Sequence, residues 1–93
     1  MVLWRPLAKG RRVGFAVSRR VGSAVIRNRG RRRLREAYRR EQAALHADVA
    51  VMFVARPALV TRRFGDLLEE MRRTLGTLNR SAQREKIAKE SRP

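Results

Sequence analysis

Arginine is the residue type with which this chain can do chemistry, and it is unevenly placed. The stretch RRVGSAVIRNRGRRRLREAYRR, residues 19–40, holds ten arginines and one acidic residue, Glu36. A planar guanidinium forks onto a phosphate and stacks on a base, which an ammonium does not do. Solvated helices usually intersperse Glu with Arg or Lys at i,i+4, gaining about 0.2–0.5 kcal/mol per pair. Here Glu36 is nearly alone, so the stretch accepts repulsion that only an outside partner offsets. Across the chain 24 Lys+Arg face 8 Asp+Glu, a formal net charge of +16. The partner implied is a polyanion. Nucleic acid leads, because every neutralised phosphate releases counterions. An anionic membrane surface competes less well: the apolar stripe of the arginine helix carries no Trp or Phe and is needed for a core.

Other chemistries find little support. His46 is the only histidine and stands where the first helix ends, a place for interaction with a helix C-terminus rather than proton transfer. The carboxylates form no metal-binding cluster, since Glu69 and Glu70 point in different directions on their helix, and there is no Gly-rich phosphate loop. We therefore expect no catalytic residue, no metal ligand and no cofactor held by protein side chains. The absence of cysteine rules out disulfides and thiolate metal sites and fits a reducing compartment. The longest apolar run, VAVMFVA, is far too short to span a bilayer. The opening MVLWRPLAKG lacks the order of a signal peptide, so a cytoplasmic protein without membrane association is expected.

The elements that must position the arginines follow from periodicity. Met1–Arg5 alternates and is closed by Pro6. RVGFAVS, residues 12–18, alternates again, with Val13, Phe15 and Val17 on one face and Gly14, Ala16 and Ser18 on the other. Two antiparallel strands in a loose hairpin are the economical reading. Gly22 punctuates a turn and Ser23 is an N-cap for a helix over about Ala24–Leu45, with Ile26, Leu34, Ala37, Tyr38 and Leu45 in one stripe. Arg29, Arg32, Arg33, Arg35, Arg39 and Arg40 lie away from that stripe. Gly30 lies on it, contributing no burial and costing about 1 kcal/mol of helix propensity relative to Ala. DVAVMFVARP does not alternate, as expected of a strand covered on both faces and parallel to an earlier one, and Pro57 ends it. Thr61 should cap a second helix in which Phe64, Leu67, Leu68, Met71, Leu75 and Leu78 repeat at three and four. Its acidic Asp66, Glu69 and Glu70 come early and its Arg72 and Arg73 later, as the macrodipole favours. Phe15 and Phe64 belong to the core. The expected organisation is one small α+β domain over residues 1–78 and a basic, disordered tail over 79–93.

In this setting RVGFAVSRRVGSAVIRNRGRRRLREAYR resembles the central motif of the bacterial ribonuclease P protein component: a strand ending in V-S-[KR]-[KR]-V-G, a small residue, A-V, an aliphatic residue, R-N-R, and a basic helix ending in L-R-E. The resemblance continues through DVAVMFVARP and the helix after it, over roughly residues 2–78. It implies a compact α+β fold with a three-stranded sheet, the basic helix in a βαβ crossover of unusual left-handed sense, and a second amphipathic helix. It also implies a subunit that assists a catalytic RNA, with Mg2+ expected through that RNA, in removing the 5′ leader from precursor tRNA.

Arg27, Asn28 and Arg29 match the R-N-R signature, and Arg31, Arg32 and Arg35 match basic positions that face the RNA subunit. Asn28 adds no charge, but its amide can bridge a phosphate or sugar hydroxyl and a neighbouring backbone group; an ordinary helix-entry turn is its plainer use. The family's second surface is a groove on the open sheet face that holds the single-stranded leader. Ser18 and Arg20 match its floor and Trp4 an aromatic position on the preceding strand, although a Trp there can equally cover the sheet edge. Stacking on an unpaired base is worth about 1–3 kcal/mol and tolerates any base. Family members begin with a basic helix carrying two aromatics, whereas this sequence starts within the strand after it, leaving open an upstream start or a shortened variant. Gly30 stands where an aliphatic residue is usual. A general RNA-binding protein of ribosomal or chaperone type is the alternative that composition allows and the ordered motif does not favour.

Overall fold

The computed structural model describes residues 2–90; Met1, read above as the first strand residue, and the last three residues of the tail lie outside the described residues. Strands β1 (Val2–Pro6), β2 (Arg12–Val17) and β3 (Val49–Ala55) form one sheet in the order β1-β3-β2. β3 runs antiparallel to β1, with Trp4 opposite Val51, and parallel to β2, with Val17 opposite Ala55. The expected β1–β2 hairpin is therefore replaced by two edge strands flanking the most apolar one. β3 is the segment that gains most from the middle, where both its edges are hydrogen-bonded.

β2 and β3 are joined by a one-turn 3₁₀ helix, Arg19–Val21, then α1 (Ala24–Glu41) and a second 3₁₀ turn, Gln42–Ala44. α1 ends four residues short of the expected Leu45, which stays fully buried beyond the turn. Arg56 leads into a short helix α2 (Pro57–Val60), so Pro57 opens a helix as well as ending β3. Thr61 closes α2 instead of capping the next helix, and α3 spans Phe64–Glu90.

α1 and α3 lie on the same side of the sheet. Leu34 and Ala37 from α1, Val49, Val51, Phe53 and Ala55 from β3, and Leu67, Met71, Leu75, Leu78 and Ala82 from α3 make the core with Leu45. Phe15, Tyr38 and, further along, Phe64 border it, with Phe15 stacked 5.7 Å from the core residue Phe53. Gly30 is buried on the α1 stripe, whereas Ile26, expected there, is 41% exposed at the first turn.

Two further expectations fail for physical reasons. The stretch after Leu78 is helical rather than disordered through Glu90: Ala82 continues the buried row Leu75, Leu78, and Gln, Arg, Glu, Lys and Ala are good helix formers. Asn79 also accepts from the backbone amides of His46 and Ala47 at 2.9 and 3.0 Å, tying α3 to the approach of β3. β3 is covered on one face only. Val49, Val51, Phe53 and Ala55 are buried under the helices, but Met52 on the other face is 40% exposed.

Candidate nucleic-acid interface

α1 is fixed by its buried side, which decides where its arginines go. Ser23 accepts from the Ile26 amide at 3.4 Å and starts the helix. With Gly30, Leu34 and Ala37 facing inward, the 100° step sends Asn28, Arg32, Arg35 and Arg39 along the outward stripe. Arg27 and Arg31 are half-buried on one flank, and exposed Arg29 lies on the other, with Arg33 and Arg40. The arrangement thus brings Asn28, Arg31, Arg32 and Arg35 together, with Arg29 adjoining the group through Arg32, three residues on.

Several of these groups already have local work. The Asn28 Oδ1 accepts from Arg31 at 2.6 Å, which aims the guanidinium and leaves the Asn28 amide N–H groups free to donate. Arg27 donates to the Gly22 carbonyl at 2.9 Å, closing a turn whose glycine has φ +141°, a conformation other residues rarely adopt. Arg35 stands 6.0 Å from the Phe15 ring centroid. Arg33 donates to the Arg62 carbonyl and, with Arg40, packs against Phe64, holding α1 to the loop before α3.

The second surface is the open sheet face. A shallow depression of about 430 Å³ is bordered by Leu3, Trp4 and Arg5 of β1, Arg12, Val13 and Gly14 of β2, and Ala50, Val51 and Met52 of β3. Met52 lies across Gly14 so closely that a Cβ on the glycine would stand 2.7 Å from the Met52 Cε. Ser18 follows β2 and accepts from the Arg20 amide at 3.2 Å, shaping the turn that exposes Arg19 and Arg20. Ser18 and Arg20 are thus neighbours beyond the depression, which Trp4 lines at the β1 edge while its side chain follows the other face. Strand alternation sends Trp4 to the helix-covered face with Val2, opposite buried Val51, where it packs against the core. It borders a larger depression of about 710 Å³ whose wall carries Asp66, Glu69 and Glu70. Size does not mark the nucleic-acid site here, since the arginines of that wall, Arg62 and Arg73, are paired with Glu70 and Glu69.

Acidic residues are confined to part of the sequence. No Asp or Glu occurs in residues 1–35 or 49–65. Four carboxylates pair with arginines: Glu36 with Arg39 and Arg40, Glu41 with Arg72, Glu70 with Arg62, and Glu69 with Arg73. Hydrogen bonds from Arg39 and then Arg40 lower the Glu36 carboxyl to about 2 and raise the Arg39 guanidinium. Among the described residues, exposed Arg19, Arg20, Arg29, Arg32, Arg35, Arg56 and Arg63 form no ion pair, so their charge is unspent.

Sequence reasoning missed Met52, because an unalternating run reads as two-sided burial. It also missed Arg5 and Arg12, whose place on the open face is visible only once the register is known. Among the described residues no group of three His, Cys, Asp or Glu side chains could hold a metal ion, and no helix is long and apolar enough to cross a membrane.

The fold and this surface have counterparts. The RNase P protein from Thermotoga maritima is 26% identical, with a TM-score of 0.73 over 82% of this chain and 74% of that one. The same protein in complex with 1-(4-fluorophenyl)-2-thiourea gives 0.70 at 26% identity, over 81% and 75% of the two chains. The Staphylococcus aureus RNase P protein shares the fold at 21% identity, with a TM-score of 0.61 over 73% of this chain and 63% of that one. No curated protein matches the chain. The family model described as Ribonuclease P matches residues 1–79, which takes in all three strands, the arginine helix and the first half of α3. An R-N-R helix over a β1-β3-β2 sheet, matched in sequence and in fold, makes this chain a member of the ribonuclease P family: the RNA-binding bacterial protein subunit of that tRNA-processing enzyme.

Proposed function

We propose that the outward face of α1 binds the catalytic RNA subunit and that the open sheet face receives the 5′ leader of precursor tRNA. In this reading the RNA performs the phosphodiester hydrolysis with Mg2+ that it holds itself, and the protein works in the cytoplasm. The supporting observation is the Asn28, Arg31, Arg32, Arg35 group. It projects from a helix whose other side is locked into the core, and the one carboxylate beside it, Glu36, is engaged by Arg39 and Arg40. Guanidinium groups held on a rigid helix fork onto phosphates with little further loss of entropy. Asn28 adds hydrogen bonds to phosphate or a 2′-hydroxyl, groups an RNA helix displays on its surface.

The leader surface is of another kind. Met52, Leu3, Gly14 and Ala50 give it an apolar floor, with Arg5 and Arg12 at its edge and Ser18 and Arg20 where β2 ends. Such a floor accepts bases of any sequence while the cations follow the backbone. Arg29, on the other flank of α1, and Arg27, at the Gly22 turn, extend the RNA-subunit contact to both sides of the stripe.

The test is reconstitution of the chain with the RNA subunit and precursor tRNA at low magnesium. Leader removal should accelerate over RNA alone, and the gain should fall when Arg32 or Arg35 becomes alanine. No acceleration by the wild-type chain would overturn the proposal.

A further inference from the structure

β2 and β3 are parallel neighbours, so the residues that follow them emerge at the same end of the sheet. Val17 lies opposite Ala55, and the Ser18 amide donates to the Ala55 carbonyl at 3.3 Å. The next residues are Arg19 and Arg20 on one strand and Arg56 on the other. Arg56 is held extended, at φ −94° and ψ 163°, as a residue before proline must be, and its side chain caps nothing. α2 then packs against the Arg19–Val21 turn and against α1, which keeps the two arginine-bearing corners side by side.

All three arginines are exposed, none forms an ion pair, and both segments that meet here lack carboxylates. The acids beyond α2 are on α3: Asp66 in its first turn, then Glu69 and Glu70, which pair with Arg73 and Arg62. At the opposite end of the strands, by contrast, a carboxylate is present: Asp48 accepts from the Gly10 amide at 3.0 Å.

We propose that Arg56 joins Arg19 and Arg20 in a phosphate-binding cradle for an RNA backbone at the carboxyl ends of β2 and β3. The cradle rests on the RNA-binding reading above and joins its two surfaces. Arg20 ends the sheet-face strand, and beyond Gly22 the chain enters the R-N-R turn of α1. A strand of RNA leaving one surface for the other passes over Arg56. The ligand chemistry is the phosphodiester, supplied by the RNA subunit or by precursor tRNA.

The deciding measurement is the salt dependence of binding by the full chain, made separately with transcribed RNA subunit and with precursor tRNA carrying its leader. Each phosphate contact contributes about 0.7–0.9 to the slope of log affinity against log salt. Arg56→Ala should lower that slope by about one contact for the RNA that occupies the cradle, and Arg56→Lys should restore most of it. Arg72→Ala, whose partner is Glu41, should leave the slope unchanged. Loss with RNA subunit alone assigns the cradle to that RNA; loss with precursor tRNA alone assigns it to the substrate. Wild-type slopes for both RNAs in Arg56→Ala, in a protein that melts like the wild type, would overturn the cradle while sparing the RNA-binding reading. Absence of salt-dependent binding by the wild-type chain would overturn both.

Discussion

Charge and hydrogen bonding separate at Asn28. Arg32→Ala removes a cation from the outward stripe, so it should weaken RNA-subunit binding and flatten the salt dependence by about 0.7–0.9 of slope. Asn28→Ala removes no charge. It should weaken binding at every salt concentration with the slope intact, by taking away both the amide donors and the 2.6 Å bond that aims Arg31. Wild-type affinity in Asn28→Ala would place Asn28 outside the contact. Gly14 makes a second contrast. A methyl group at this position would meet the end of Met52, a flexible side chain that can swing away. Gly14→Ala should therefore alter leader binding a few-fold while moving the melting temperature little. A large drop in melting temperature, with leader binding unchanged, would assign Gly14 to folding alone. Trp4 belongs to the same scale with the opposite expectation: from the helix-covered face, Trp4→Ala should lower stability and weaken both RNA contacts together.

At the level of elements, much of the fold is legible in the sequence. Ser23 before an apolar stripe marks the start of α1, and Val13, Phe15 and Val17 mark the buried face of β2, because capping and alternation are local signals. Strand order is not local: adjacency in sequence favours a β1–β2 hairpin, and only competition for the central place brings β3 between them. Likewise, Ala50, Met52 and Val54 carry the same residue types whether protein covers them or they form an open floor, so the pattern of β3 cannot reveal the bare face. The end of α3 eluded composition because one small residue, Ala82, suffices to keep the row Leu75, Leu78 going. Leu75 is fully buried, so Leu75→Ala should cost about 2–5 kcal/mol in denaturant melts; Ile87→Ala, at a 57% exposed position, should cost less than about 0.5 kcal/mol. On α1 the Glu36 carboxyl, lowered to about 2 from an ordinary 4.5, favours the folded helix above its unfolded pKa. That contribution should fade as pH falls from about 4.5 towards about 2. Glu36→Gln should remove this acid-dependent part of the helical circular dichroism; an unchanged acid limb would show that the pair does not support the helix.

For the whole molecule, a net charge of +16 on 93 residues makes self-repulsion a folding term, and its weight falls on the half without carboxylates. Arg29, Arg32 and Arg35 follow one another at three-residue steps, and like charges at such spacing cost a helix about 0.2–0.5 kcal/mol per pair. Salt screens this: the Debye length shrinks from about 30 Å at 0.01 M to about 8 Å at 0.15 M. The melting temperature should therefore rise with sodium chloride over that range in the free protein. RNA should raise it further by binding only the folded chain. Arg32→Gln and Arg35→Gln should each move the two properties in opposite directions, melting higher than the wild type at low salt and binding the RNA subunit more weakly. This opposition is the physical content of the arginine helix, since a residue kept for stability would lose both when replaced. Melting curves at low salt and RNA titrations on the same preparations measure it. Variants that melt lower than the wild type at low salt would mean that these arginines stabilise the fold, and that the chain's charge is not held in reserve for RNA.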